Sequence, residues 1–136
     1  MKVPTKTITF GMALMMCGCV SLSYREQNEY NYLVRNDITL SHPVGSFKMP
    51  NSAWTAGLLN VLPGLGNFYL AFGDGNDPIQ GAYGVINLLF WPISIVWGAP
   101  QAAIDAHTLN KREMLYYYHY DKGGKAAIEA RGLKFE

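Results

Sequence analysis

Between Met49 and Ala106 the chain has no lysine, arginine or histidine, and its only charged side chains there are Asp74, Asp77 and Asp105. A water-soluble core spreads charge along the sequence; here residues 24–52 and 106–136 hold most of it. A mean hydropathy of +0.01 therefore averages two unlike parts, the pattern of a membrane-associated protein with polar flanks. Cysteine is scarce as well: Cys17 and Cys19 are the only two. A disulfide framework or zinc–cysteine site beyond residue 19 is thereby excluded. No metal-ligand spacing, nucleophile–base pair or phosphate loop is present. Asp105 and His107 point about 200° apart on a helix and cannot share a metal. "GDGND" lacks the spaced ligands and closing glutamate of a calcium loop and reads as a turn. The expectation is a protein that is not an enzyme and has no metal site.

What is present begins with a targeting pattern. Lys2 and Lys6 precede an apolar run, Ile8–Met16, and then "MMCGCV" supplies small residues and cysteines at a cleavage position. Nine residues are too few for a bilayer core, which needs about twenty. The segment resembles the lipobox of bacterial lipoproteins. Cys19, with Gly18, Cys17 and Met16 before it, is the favoured acylated residue; Cys17, with Leu14 three before it, is the alternative. The resemblance implies a signal peptide over 1–18, a covalent lipid on Cys19 and no other cofactor. Val20, not aspartate, follows Cys19, which by the same resemblance sorts the protein to the outer membrane. Loss of Lys2 and Lys6 from the eleven basic residues leaves nine against ten acidic ones, a net charge of −1. Lys111-Arg112 is followed at once by Glu113, so no nucleic-acid partner is expected.

Residues 19–51 read as a polar tether. Tyr30, Tyr32, Val34, Ile38 and Leu40 show partial alternation, which predicts a short strand or two, and Pro43, Gly45 and Pro50 punctuate it. Asn51 or Ser52 then caps the next helix.

Residues 52–112 are apolar. Ala53–Phe72 and Pro78–Ile104 are long enough for bilayer-length elements, and "GDGNDP" joins them. The fold expected is mainly α, a two-helix apolar hairpin. Pro92 and Pro100 kink its second arm, and Pro100 starts a fresh helix. Trp54, Trp91, Trp97, Tyr69 and Tyr83 suit interface or packing positions. "PGLGNFYL", together with Gly84, Trp91-Pro92, Trp97 and Asp105, resembles the TM-two (two-transmembrane) domain family over about residues 52–112. That resemblance implies the hairpin architecture and little chemistry. Gly64 and Gly66, beside Phe68 and Tyr69, are expected to let the arms approach closely. Asn87 is expected to meet either Asn60 or Asn67 across the hairpin, because an unpaired amide in hydrocarbon is costly.

A lipidated N-terminus outside the cytoplasm conflicts with a spanning inner-membrane hairpin. The turn with two aspartates would be cytoplasmic and Lys111-Arg112 would stay outside, against the positive-inside bias. A hairpin delivered across the inner membrane avoids the conflict. Residues 113–136 read as a polar tail with short helices, broken at Gly123-Gly124, its four tyrosines 116, 117, 118 and 120 packing on the hairpin. The function expected is a lipid-anchored envelope protein with a structural or assembly role, at the periplasmic face of the outer membrane. Its partners are membrane lipid and an envelope protein or a second copy. The alternatives are an inner-membrane lipid-anchored hairpin that modulates a membrane partner, and a hydrophobic-ligand carrier.

Overall fold

The computed structural model describes residues 20–73, 77–91 and 94–135; the signal segment with Cys17 and Cys19, Asp74 and Pro92 lie outside them. The protein is mainly helical: α1 (Tyr24–Arg35), α2 (Ala53–Leu59), α3 (Leu65–Phe72), α4 (Pro78–Leu89), α5 (Ile95–Tyr120) and α6 (Lys122–Glu129). No strand occurs among the described residues.

The expected extended tether is instead helix α1. Its start is a capping box: the Glu26 N–H donates to Ser23 Oγ at 3.3 Å, and the Ser23 N–H donates to Glu26 Oε2 at 2.6 Å. Arg25 and Glu29 pair at i,i+4. The residues taken for strand alternation, Tyr30 among them, are spaced so that Tyr30 and Leu33 fall on one buried helical face. They pack with Ile38, Leu40, Met114, Leu115, Tyr118 and Ile128 into a polar-surfaced lobe. Polar contacts clamp α1 to α5: Arg112 Nε lies 3.1 Å from Glu26 Oε1, and His119 Nε2 lies 3.0 Å from Glu29 Oε2.

The four tyrosines do not pack on the apolar part. Tyr118 is buried in the polar lobe, where its hydroxyl accepts from the Val44 N–H and donates to the Val44 carbonyl. Tyr117 accepts from the Ser46 N–H, while Tyr116 and Tyr120 are exposed. Gly123 and Gly124 do not break the chain. They form the first turn of α6, their N–H groups donating to the N-cap Asp121.

The apolar region is three short helices and the first half of a long one, not two long arms. Ser52 caps α2 by accepting from the Thr55 N–H. The first arm then ends at Asn60, and the chain re-enters helix at Leu65 through Gly64 at φ +80. That positive φ is why "PGLG" interrupts the apolar stretch: proline stops one helix and glycine turns the backbone into the next. Asp77 caps α4, with Pro78 at its first position. The second arm breaks after Leu89, and α5 runs straight through Pro100 and past residue 112 to Tyr120, joining both lobes. The helices alternate in direction. Tyr69 of α3 returns to the start of α2, where its hydroxyl accepts from the Ser52 N–H, and Gly57 of α2 lies against Ala99 and Ala103 of α5.

Bare backbone sets the spacing. A Cβ at Gly66 would stand 2.0 Å from the Ala56 carbonyl oxygen, and one at Gly64 would stand 2.2 Å from that of Gly84. Phe68 covers Gly84, whose added Cβ would meet its ring at 2.8 Å. Gly81, in the same helix as Gly84, would meet only Ala71 Cβ at an ordinary 3.7 Å. Two opposite outcomes follow for thermal unfolding. Gly66→Ala destabilises the protein by about 1–3 kcal/mol through overpacking. Gly81→Ala stabilises it by about 0.5–1 kcal/mol through helix propensity.

The clamp on α1 has a pH signature. Burial raises the Glu26 pKa, but the Ser23 hydrogen bonds and the Arg112 charge outweigh it, so the carboxyl is held below its usual range. A depressed acid pKa contributes stability above the unfolded value and loses it as pH falls through the folded value. Unfolding measured from neutral pH down to below the carboxylate range should show an acid-side loss that is smaller in Glu26→Gln. Equal acid-side slopes would refute the assignment.

Candidate functional site

The lobe built from α2, α3, α4 and the first half of α5 is inverted relative to a water-soluble core. Of twenty large apolar side chains exposed among the described residues, fifteen lie between 53 and 104. They come from all four helices and the turns between them: Trp54 is 76 % exposed, Phe72 82 %, Leu89 74 % and Val96 80 %. Inside, the buried apolar residues are Ala56, Leu70, Ala71, Ala102, Ala106 and Leu109, most of them small. Asn60, Asn67, Gln80, Asn87, Ser94 and Asp105 are buried among them.

Those polar groups form a chain with one direction. The Trp97 indole N–H donates to Asn87 Oδ1 at 3.1 Å. Asn87 Nδ2 donates to Asn67 Oδ1 at 2.8 Å, and Asn67 Nδ2 donates to Gln80 Oε1 at 2.7 Å. Gln80 Nε2 donates to Asp105 Oδ2 at 2.9 Å. From the other side, the Val20 backbone N–H donates to Asp105 Oδ1 at 2.8 Å. An indole and a backbone N–H can only donate. A row of amides between two such ends passes one donor and one acceptor along, so it needs one member that only accepts. Asp105 as a carboxylate is that member. Burial pushes its carboxyl up from the ordinary aspartate range; the donors from Gln80, Val20 and Gln101 act against burial without overcoming it.

Gly98 lays backbone against this chain, since a Cβ there would stand 2.7 Å from Asn60 Nδ2 and 3.2 Å from Asn87 Nδ2. Asn60 Oδ1 accepts from the Gly66 N–H at 3.1 Å, while its Nδ2 has no protein acceptor. Ser94 Oγ donates to the Asn87 carbonyl at 2.7 Å and fixes the end of α4. At the junction of the lobes, Asn110 grips the backbone of Asn51, accepting from its N–H and donating to its carbonyl.

The residues singled out from sequence thus fall into two groups. Asn67 and Asn87 bond directly, and Asn60 sits apart, holding α3 through Gly66. Gly64 and Gly66 serve as helix contact points, with Phe68 over Gly84 and Tyr69 reaching Ser52. Sequence reasoning passed over Gln80 and Gly98; it named Trp97 for packing and Asp105 for the family resemblance and as a rejected metal ligand, but neither as a member of this chain. Gln80 and Asp105 carried a signal, each a strongly polar side chain in an otherwise uncharged stretch; Trp97 and Gly98 carried none.

The polar lobe offers no comparable centre. A groove of about 250 Å³ between α1 and α5 is lined by Arg25, Glu26, Glu29, Arg112 and His119, where Arg25 pairs with Glu29, Arg112 with Glu26 and His119 with Glu29. Among the described residues no group of three or more histidine, cysteine or acidic side chains is placed to hold a metal ion. No helix among them is long and apolar enough to cross a membrane. No family model, curated protein or solved structure matches the chain.

The directional chain is testable by a double-mutant cycle. Asp105→Asn puts a donor where an acceptor is required and costs about 1–3 kcal/mol of unfolding free energy. Trp97→Phe removes one donor-only end, so every amide can then reverse. In that background the Asp105→Asn loss should shrink, giving a coupling of about 0.5–3 kcal/mol. Additive losses in denaturant unfolding would refute the chain.

Proposed function

We propose that the chain is a lipid-anchored protein of the cell envelope with a structural or assembly role, held at the periplasmic face of the outer membrane by acylated Cys19. The observation that carries this reading is the inverted lobe, with apolar side chains outward on all four helices and hydrogen-bonded amides inward. Water favours the opposite arrangement: about 25 cal/mol is lost per Å² of apolar surface left exposed to it. In hydrocarbon the outward leucines, valines and tryptophans are solvated, and the inward amides satisfy each other. The Val20 N–H bond to Asp105 supports the same reading, because the residue after the anchor cysteine is tied to this lobe and not to the polar one.

The apolar hairpin enters this reading as two arms that are each folded back once, α2 with α3 and α4 with α5. A hydrophobic-ligand carrier draws no support from the lobe, whose interior is occupied by small and polar side chains.

Fatty-acid labelling in cells tests the anchor. Cys19→Ser should abolish labelling and leave an uncleaved precursor, whereas Cys17→Ser should label normally and fractionate with the outer membrane. Labelled Cys19→Ser protein would overturn the assignment, and loss of label in Cys17→Ser alone would move the site to Cys17.

A further inference from the structure

We infer that the apolar lobe enters a single leaflet of the bilayer, to the level of Asp105, with both of its folded-back arms open toward the same side. The inference takes the lipid anchor from the reading above and adds depth, orientation and sidedness.

Three observations set the level. On α5, side chains from Ile95 to Ile104 are uncharged and Val96 and Ile104 are exposed, whereas His107, Lys111 and Arg112 follow within two turns. Ile95 to Asp105 measures about 15 Å at the helical rise, half of a hydrocarbon core of about 30 Å. Asp77, the one charged residue of the apolar stretch before Asp105 that the structure describes, caps the α4 end whose Gln80 bonds Asp105. Asp77 therefore lies at the same level as Asp105, not at the far end.

Among the described residues, the exposed large side chains of the far end are apolar. Val61 and Leu62 follow the end of α2, and Leu89, Phe90 and Trp91 close α4 just before α5 begins; all are exposed. Trp54 stands at the opposite end of α2, two residues from Ser52 and next to the Asn51–Asn110 junction. Lipid is the occupant that fits, because the exposed apolar side chains belong to every helix of the lobe. A second copy of the chain or a protein partner would cover one face and leave the others in water.

The bond from Val20 to Asp105 fixes the residue that follows the anchor cysteine. It holds the residue after Cys19 at the level where charge begins on α5, so the acyl chains and the lobe enter the same leaflet side by side.

Depth-resolved quenching tests this on the full acylated protein in vesicles of phosphatidylethanolamine and phosphatidylglycerol. Bromine is placed either near the headgroup end or near the methyl end of the acyl chains, and tryptophan fluorescence is read. Trp91→Phe should remove most of the quenching by deep bromine, and Trp54→Phe most of the quenching by shallow bromine. Absence of quenching in protein that carries its lipid would overturn the inference and leave the anchor reading intact. Equal loss from both variants at both depths would overturn the orientation, as would a dimer whose contact shields both tryptophans from bromine. Fatty-acid labelling tests the anchor separately, so the two failures are distinguishable.

Discussion

Asp105 is the one member of the buried side-chain row that accepts from both sides without donating, and the orientation of every amide in that row depends on it. Trp97 at one end and the Val20 N–H at the other can only donate. With a neutral amide at 105, at least one donor in the row would face another. The chain touches α3, α4, α5 and the segment before α1, so a local matter of hydrogen-bond direction becomes a constraint on how four parts of the molecule sit. Burial opposes the charge that this role requires, and the converging donors offset part of that opposition.

Small residues make the arrangement compact enough to hold. Gly64 against Gly84, Gly66 against Ala56 and Gly98 against Asn60 bring backbone to within side-chain contact, and this is what lets short asparagine side chains bridge neighbouring helices. Larger residues at these points would push the helices apart and lengthen each amide bond beyond its range. The outward face carries the bulk instead. The polar lobe follows the ordinary rule, with Leu33, Ile38, Met114 and Tyr118 inside and ion pairs on its surface. One helix, α5, belongs to both lobes, and its sequence changes character between Ile104 and His107.

Much of the polar lobe escaped the sequence because short-range signals were outweighed by an expectation of extension. "SYRE" is a capping box, yet Tyr30, Tyr32 and Val34 drew attention as alternation; the helix wins because Ser23 and Glu26 satisfy its first donors and Leu33 reaches the core. Gly123-Gly124 look like a breaker, but Asp121 caps them, and the lack of a side chain at Gly124 lets α6 pass close to the Tyr117 carbonyl. In the apolar part, the uncharged stretch and its helical character were legible; Asn87 was expected to meet Asn60 or Asn67, and the bond runs to Asn67. The number of helices was not legible. Hydropathy does not distinguish one bilayer-length helix from two half-length ones: the positive φ of Gly64 turns the first arm, and the second arm divides after Leu89, where Ser94 Oγ donates to the Asn87 carbonyl. Asp105 was hidden because a single acid beside a histidine raises the question of metal before that of hydrogen-bond direction.

Dividing the arms also removes a conflict over sidedness. In a two-arm hairpin the acidic turn lies across the membrane from Lys111-Arg112, and a lipidated N-terminus then places each charge on the side that the positive-inside bias disfavours. With the arms divided, α2 goes in and α3 comes back before the turn is reached. Asp77 then stands beside Gln80 and Asp105, at the end from which α5 continues to Lys111 and Arg112. Under the proposed insertion no charge crosses the hydrocarbon, and the lobe needs no transfer of its turn through a bilayer centre, where an aspartate costs about 2.5–3.5 kcal/mol. Pro63 and Gly64, which would spoil a spanning helix, are what fold the first arm back to the side where it began.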